Sequence, residues 1–265
     1  MKLYGIIGYP LAHSFSQKYF SEKFLKLGLA DHEYKTFPIA NISEFPKIIS
    51  ENPALLGLSV TIPHKQAVIP CLNELDETAR IVGAVNCIKI VPSPLKADQV
   101  PRLVGYNTDV FGFQQAIKPF LESHHSRALI LGTGGASKAV AFVLSEIGVD
   151  FHFVTRNQPK ARSQKQTDHK NIFNYSELNK SIIDNFPLII NTTPVGMFPN
   201  ITSTPQIPYE HLTSKNFCFD LIYNPEKTLF LQKAKEKGAL TQNGLTMLHQ
   251  QAEKAWEIWN LAAGC

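Results

Sequence analysis

Residues 128–140 read ALILGTGGASKAV, and the fold turns on how they are understood. A short apolar run that suits a buried parallel strand leads into Gly132, Gly134 and Gly135, and an apolar-periodic run that suits a helix follows. Glycines at such a turn permit a tight backbone path and let main-chain N–H groups approach a pyrophosphate at the helix N-terminus. Ser137 stands where the third glycine of the full fingerprint falls, so the pattern alone also fits an ordinary strand–helix turn. The next strand, DFHFVTR (150–156), arrives at the separation a βαβ unit needs. Where NAD sites place an acid to meet the ribose 2′-OH, this strand ends in Thr155, Arg156 and Asn157, with Lys160 shortly after. An arginine and a lysine suit a 2′-phosphate, so the expected cofactor is NADP in preference to NAD.

Working outward, strand-like and helix-like runs alternate along the chain, which predicts an α/β architecture. On the C-terminal side, 109–123 reads as a helix with a kink or end near Pro119. PLIINTTP (187–194) and FCFDLIY (217–223) read as strands, and LFLQKAKEKG (229–238) as an amphipathic helix. Residues 244–264 form a last helix with Leu248, Ala252, Ala255, Trp256 and Trp259 on one face. On the N-terminal side, strands are predicted over 2–10, 32–39, 55–63, 84–92 and 102–108, and a short helix over 76–83. A helix over 14–29 places Phe15, Tyr19, Phe20, Phe24 and Leu27 on one face, with Gly28 closing it. Residues 92–102 and 157–171 read as exposed connections.

A chain of 265 residues accommodates one large domain or two modest ones. Its 44% apolar and 18% charged residues are ordinary for a globular protein, and a net charge of +4 mildly favours anionic small ligands without arguing for nucleic acid. Cys71, Cys87, Cys218 and Cys265 are scattered with no CxxC pair, which suits reduced thiols and neither a disulfide framework nor a metal site. The N-terminal apolar run breaks at Pro10, and no later run reaches membrane length, so a cytoplasmic protein with no membrane partner is expected.

Several polar residues at turns are candidates for a substrate site. SVTIPHK (59–65) is a strand end stopped by Pro63, with His64 and Lys65 just past the stop. A lysine there is either a solvated charge or a group aimed at chemistry, and His64 is the rival acid/base. Ser14 and Ser16 open a helix. Ser14 with Gln17 is a capping-box pattern, and two hydroxyls at a helix N-terminus also form a carboxylate cradle. Asn107, Thr108 or Asp109 suits a helix cap, and Asn86 is a satisfied buried amide or a ligand contact.

The chain resembles the shikimate dehydrogenase family, in order and over nearly its whole length. The segments that carry the resemblance are GYPLAHSFS, SVTIPHK, GAVNC, GYNTD, LGTGGASKAV, TRNQPKA, NTTPVGM, FDLIYNPEKTLF and NGLTMLHQQA. The resemblance implies two α/β domains: a substrate domain of residues 1–108 plus 244–265, and a Rossmann-like NADP-binding domain of residues 109–243. It implies an active site in the cleft between them. It also implies reversible NADPH-linked reduction of 3-dehydroshikimate to shikimate, on the route to chorismate and the aromatic amino acids. Lys65 and Asp109 would form the catalytic pair. Ser14 and Ser16 would hold the substrate carboxylate, while Thr61, Asn86, Asp109 and Gln251 would contact the ring hydroxyls and Tyr223 would add a contact. Gly132, Thr133, Gly134, Gly135 and Ala136 would cradle the pyrophosphate. Thr155, Arg156, Asn157 and Lys160 would surround the 2′-phosphate, and Leu221 and Gly244 would flank the nicotinamide. Partners would be the small-molecule substrate and NADP(H), with a monomer or homodimer expected.

The chain departs from that pattern at Ser59, Cys87 and Asn243, where similar enzymes usually carry Asn, Thr and Asp. The departures at Ser59 and Cys87 leave open a quinate/shikimate dehydrogenase with relaxed cofactor use. A non-catalytic nucleotide-sensing homologue is the reading from a different class.

Overall fold

The computed structural model describes residues 1–11, 15–92, 101–156 and 171–261. The chain divides into two compact units, Met1–Thr108 with the residues from Gln251 onward, and Asp109–Gln250.

The first unit is built on a six-stranded mixed sheet. Its elements are β1 (Lys2–Gly8), α1 (Phe15–Lys26), β2 (His32–Pro38), α2 (Phe45–Glu51), β3 (Leu55–Val60), β4 (Glu74–Leu75), α3 (Glu77–Val82), β5 (Cys87–Val91) and β6 (Arg102–Tyr106). The strand order is β2-β1-β3-β5-β6-β4. β1 runs parallel to β2 and β3, whereas β5 is antiparallel to both β3 and β6. Successive side chains of a strand point to opposite faces, and β1 follows that rule. Leu3 and Ile7 join Leu58, Ile88, Phe45 and Ile48 in one core, while Tyr4 and Ile6 join Phe20, Phe24 and Tyr34 in another. The second core is completed from far along the sequence by Ala252, Ala255, Ile258 and Trp259. Trp259 packs its ring 5.3 Å from Tyr4 and 5.2 Å from Phe20, and donates to Ile88 O at 3.0 Å.

The second unit holds α4 (Thr108–Ile117), which begins one residue before the unit boundary. It continues with β7 (Arg127–Leu131), α5 (Gly135–Glu146), β8 (Asp150–Thr155), β9 (Ile172–Asn174), α6 (Lys180–Asn185), β10 (Leu188–Asn191), β11 (Phe217–Asp220), α7 (Leu229–Glu236) and β12 (Leu240–Gln242). α8 (Leu245–Asn260) crosses back over the boundary. All strand pairs are parallel, in the order β12-β11-β10-β7-β8-β9. Counted from β7, that is the 3-2-1-4-5-6 order of the doubly wound dinucleotide-binding sheet, with its switch point between β7 and β10. Parallel strands covered on both faces read as continuous apolar runs. Accordingly Ala128 and Ile130 enter one core, Leu129 and Leu131 the other, and all four are fully buried.

Local signals explain several element ends. Asp76 caps α3 by accepting from Ala79 N at 2.9 Å, and Gly83 ends that helix in the left-handed region at φ 65°. α4 stops at Ile117 and tightens into a 3-10 turn containing Pro119. Leu27 does not join the buried face of α1 as expected. The helix ends at Lys26, and Leu27 lies in the turn beyond it, 55% exposed. Both connections read as exposed, 92–102 and 157–171, fall largely outside the described residues. Among the described residues, no helix is long and apolar enough to cross a membrane.

Candidate active site

In the first unit the strand directions bring the C-terminal ends of β3 and β6 and the start of β5 to one edge of the sheet. Thr61, Asn86 and Thr108 lie there, each just outside its strand. The Asn86 backbone ties the edge together, because its O accepts from Val60 N at 2.8 Å and its N donates to Tyr106 O at 3.1 Å. Its side-chain amide accepts from Thr108 N at 2.6 Å and donates to Thr108 Oγ1 at 3.0 Å. The Thr108 hydroxyl, accepting there, has Gln251 Oε1 at 3.5 Å for its own proton. Asn86, Thr108 and Gln251 therefore form one polar row. Asn107 donates to Ala84 O at 2.9 Å and fastens the same edge.

Lys65 follows a turn set by Thr61, whose N donates to Ile7 O at 3.0 Å and whose O accepts from His64 N at 2.9 Å. Val85 N donates to Lys65 O at 2.7 Å, which pins the lysine backbone beside Asn86. His64, the rival acid/base, is 3% exposed, and its Nε2 donates to Ile39 O at 2.7 Å. An imidazole held in that way braces the turn and is poorly placed for proton exchange with a ligand. Ser16 is buried in the first turn of α1 and shares a hydroxyl network with Tyr34, whose phenol donates to Ser59 Oγ at 2.9 Å. Burial pushes the Tyr34 phenol up, and its bonds to Ser59 and Ser16 partly offset that. Asp109 is buried in the first turn of α4, where a helix N-terminus favours negative charge.

In the second unit the turn after β7 has the form its glycines predict. Gly132 adopts φ +104°, and its N donates to Val154 O at 2.9 Å, fastening the turn to the end of β8. Gly134 is the N-cap of α5 and carries no side-chain cap, and a Cβ there would meet nothing within 4 Å. Thr133 lies in the same turn and Ala136 in the first turn of α5, whose first amides fit an anionic group. Ser137, buried at the third glycine position, donates to Gly134 O at 2.6 Å and closes the turn. Thr155 ends β8, and Arg156 is exposed with its O accepting from Asn174 Nδ2 at 3.1 Å.

Leu221 and Gly244 are brought together, since a Cβ on Gly244 would overlap the Leu221 backbone and Gly244 N donates to Ile222 O at 3.1 Å. Tyr223 is half-buried one residue beyond Ile222, and burial raises its phenol. Ser14, Asn157 and Lys160 lie outside the described residues. One participant in these networks, Tyr34, escaped the sequence reading.

A doubly wound parallel sheet with a glycine turn at its switch point, in one chain with a mixed-sheet unit edged by hydroxyls, amides and a lysine, defines a dinucleotide-dependent dehydrogenase. Residues 6–88 match the family model described as the shikimate dehydrogenase substrate binding domain. The shikimate dehydrogenase (NADP(+)) of Methanosphaera stadtmanae is 36% identical, over 96% of this chain and 90% of the relative. The crystal structure of shikimate 5-dehydrogenase from Thermus thermophilus in complex with NADP(H) and shikimate is 29% identical. It superposes with a TM-score of 0.81 over 98% of this chain and 94% of that one. The Listeria monocytogenes enzyme in complex with shikimate and NAD is 30% identical, with a TM-score of 0.80 over 98% and 91% of the two chains. The chain belongs to the shikimate dehydrogenase family.

Proposed function

We propose that the chain catalyses the reversible NADPH-linked reduction of 3-dehydroshikimate to shikimate. The observation that carries this reading is the polar edge of the first unit, where Asn86, Thr108 and Gln251 are hydrogen-bonded in a row and the Lys65 backbone is pinned beside Asn86. Such a row suits a ligand with several ring hydroxyls, because each amide keeps a donor and an acceptor at a fixed angle.

When bound, the nicotinamide supplies the hydride that reduces the ring ketone. Lys65, with Asp109 as its acid–base partner, donates the proton that the forming alkoxide requires and takes it back in the oxidation direction. Ser14 and Ser16 receive the substrate carboxylate. Thr61, Asn86, Asp109 and Gln251 orient the ring hydroxyls, and Tyr223 adds a contact. Gly132 to Ala136 receive the pyrophosphate on the first amides of α5, and Thr155, Arg156, Asn157 and Lys160 surround the 2′-phosphate. Leu221 and Gly244 flank the nicotinamide. Residues 1–108 with 244–265 act as the substrate domain and 109–243 as the dinucleotide domain.

The test is the appearance of reduced nicotinamide from purified protein with shikimate and NADP⁺, repeated with NAD⁺ and with quinate. Turnover with shikimate and NADP⁺ in clear preference to the other combinations is expected. A preference for quinate or NAD⁺ would favour the relaxed reading that Ser59 and Cys87 keep open. Tight NADPH binding without turnover would favour a sensor.

A further inference from the structure

Asp220 closes β11 fully buried, and it is not among the groups assigned to substrate or cofactor. Opposite it on β10 stands Asn191, also fully buried. Three donors from three segments converge on the carboxylate. Oδ1 accepts from Asn191 Nδ2 at 3.0 Å and from Ile222 N at 3.1 Å, and Oδ2 accepts from Thr228 Oγ1 at 2.6 Å. An acceptor-only group is what such a convergence requires, so the ionised carboxylate fits it better than the acid does.

Each donor in turn holds another part of the unit. Asn191 Oδ1, aimed by the bond its own amide makes to Asp220, accepts from Thr193 N at 3.1 Å and Thr193 Oγ1 at 2.7 Å. The side chains of Thr192 and Thr193 stand against Gly132, where an added Cβ would meet them at 3.0 and 2.9 Å. The Ile222 bond sets the turn between Leu221 and Tyr223, into whose backbone Gly244 fits. Thr228 caps α7 by accepting from Leu231 N at 3.4 Å. The carboxylate is thus the common anchor of the turn behind Gly132 and the turn that carries Leu221 and Tyr223.

We propose that Asp220 is a positioning residue of the cofactor site, holding residues 192–196 and 221–223 in the conformation that receives the nicotinamide half of the dinucleotide. The inference rests on the dinucleotide reading given above. Burial raises the acid to about 7, with the three donors offsetting part of that shift. The titratable neighbours among the described residues are the Cys218 thiol and the Tyr209 phenol, both pushed up and kept neutral by burial. Protonation of Asp220 sets a donor against its donors, or forces the Thr228 hydroxyl to reverse, and so loosens both turns.

The test measures the Kd for NADPH by calorimetry, and KM and kcat for NADP⁺ and shikimate, across the neutral pH range. It compares the full chain with Asp220→Asn, Thr228→Val and Thr228→Ser. Asp220→Asn is expected to weaken NADPH binding about tenfold, the scale of one charge-assisted hydrogen bond, while KM for shikimate holds. Binding to the unmodified chain should weaken below about pH 7 relative to Asp220→Asn. Titration of the 2′-phosphate is common to both proteins and cancels in that comparison. Thr228→Val should weaken NADPH binding in the same sense, and Thr228→Ser should restore it. Folded Asp220→Asn with unchanged Kd and an unchanged pH profile overturns the proposal. So does a rise in both KM values together, which marks general loosening. If Asp220→Asn does not fold, equal NADPH affinity in the two Thr228 variants overturns it. Absence of NADPH binding to the unmodified chain instead defeats the dinucleotide reading itself.

Discussion

Ser59 and Cys87 face each other across β3 and β5, in register. Ser59 accepts the Tyr34 hydroxyl, and Cys87 is fully buried against the core that contains Trp259. The two residues therefore share one site, a small hydroxyl and a small thiol filling adjoining space between the Tyr34 phenol and the last helix.

Because the pair shares neighbours, placing Asn at 59 and Thr at 87 should be non-additive. Ser59→Asn and Cys87→Thr singly overfill or leave a buried hydroxyl unpaired. The double variant should recover roughly 0.5–3 kcal/mol relative to the sum of the singles, the range for residues in contact. Urea unfolding of the four proteins measures this, and simple additivity would mean that the sites do not communicate.

Lys65 and His64 are adjacent but differ in what holds them. Lys65→Ala should lower kcat by roughly 10²–10⁴, the scale of general acid–base catalysis, with a smaller change in KM. His64→Ala leaves the buried Ile39 carbonyl without this partner and should cost about 1–3 kcal/mol of stability with kcat largely kept. Turnover and thermal melts on both variants separate the roles, and the opposite pattern would transfer the proton chemistry to His64.

Trp259 carries the far end of the first unit's aromatic core. Trp259→Ala should cost about 3–5 kcal/mol, the usual range for deleting a buried large aromatic. Chemical denaturation followed by circular dichroism reads the loss, and a cost under about 1 kcal/mol would mean the core closes without the indole.

Gly244 has no room for a methyl group against the Leu221 backbone, and backbone cannot rotate aside as a side chain can. Gly244→Ala should cost about 1–3 kcal/mol as overpacking and raise KM for NADP⁺. Melting curves with and without NADPH test it, and an unchanged response to NADPH would argue against a nicotinamide-side role.

Asp220 gives stability a pH dependence of definite sign. Its acid is raised from 3.8 to about 7 in the folded chain, so between those values the folded chain keeps a proton that the unfolded chain releases. Burying the charge costs the fold as a whole more than the three bonds return, so although protonation shifts the two turns, the contribution of Asp220 to overall stability is fully present below 3.8 and is lost as pH rises through about 7. Asp220→Asn should remove that fall, which thermal melts across the range would detect as a flatter profile.

The parallel sheet was legible because buried strands such as ALILG and PLIIN are continuous apolar runs, and because glycines mark the turn after β7. Ser137 reads as a defect in the glycine pattern, yet it bonds Gly134 O, a replacement visible only once the turn is folded. β4, β9 and β12 escaped because two or three residues carry too little periodicity, and the short helices α2 and α6 lack a closing glycine like the Gly83 that marked α3. The antiparallel placement of β5 depends on which strand it pairs with, and its apolar run does not record that. Among candidate site residues, Lys65 and Asn86 stood out as polar groups at strand ends. Tyr34 did not, since a tyrosine within a strand looks like ordinary core. Asp220 gave only its position, because its meaning depends on Asn191 and Thr228, which lie 29 and 8 residues away along the chain.

The return of α8 to the first unit also bears on how the protein is made. Tyr4, Phe20 and Tyr34 leave the ribosome long before Ala252, Ala255, Ile258 and Trp259, which complete their core. Until residue 259 has emerged, the face of the mixed sheet on which the indole packs stays uncovered. The parallel sheet, whose strands all lie between Arg127 and Gln242, has its own sequence in hand earlier. The N-terminal unit is therefore begun first and finished last, and a chain stalled before α8 exposes an aromatic surface of the kind that chaperones retain.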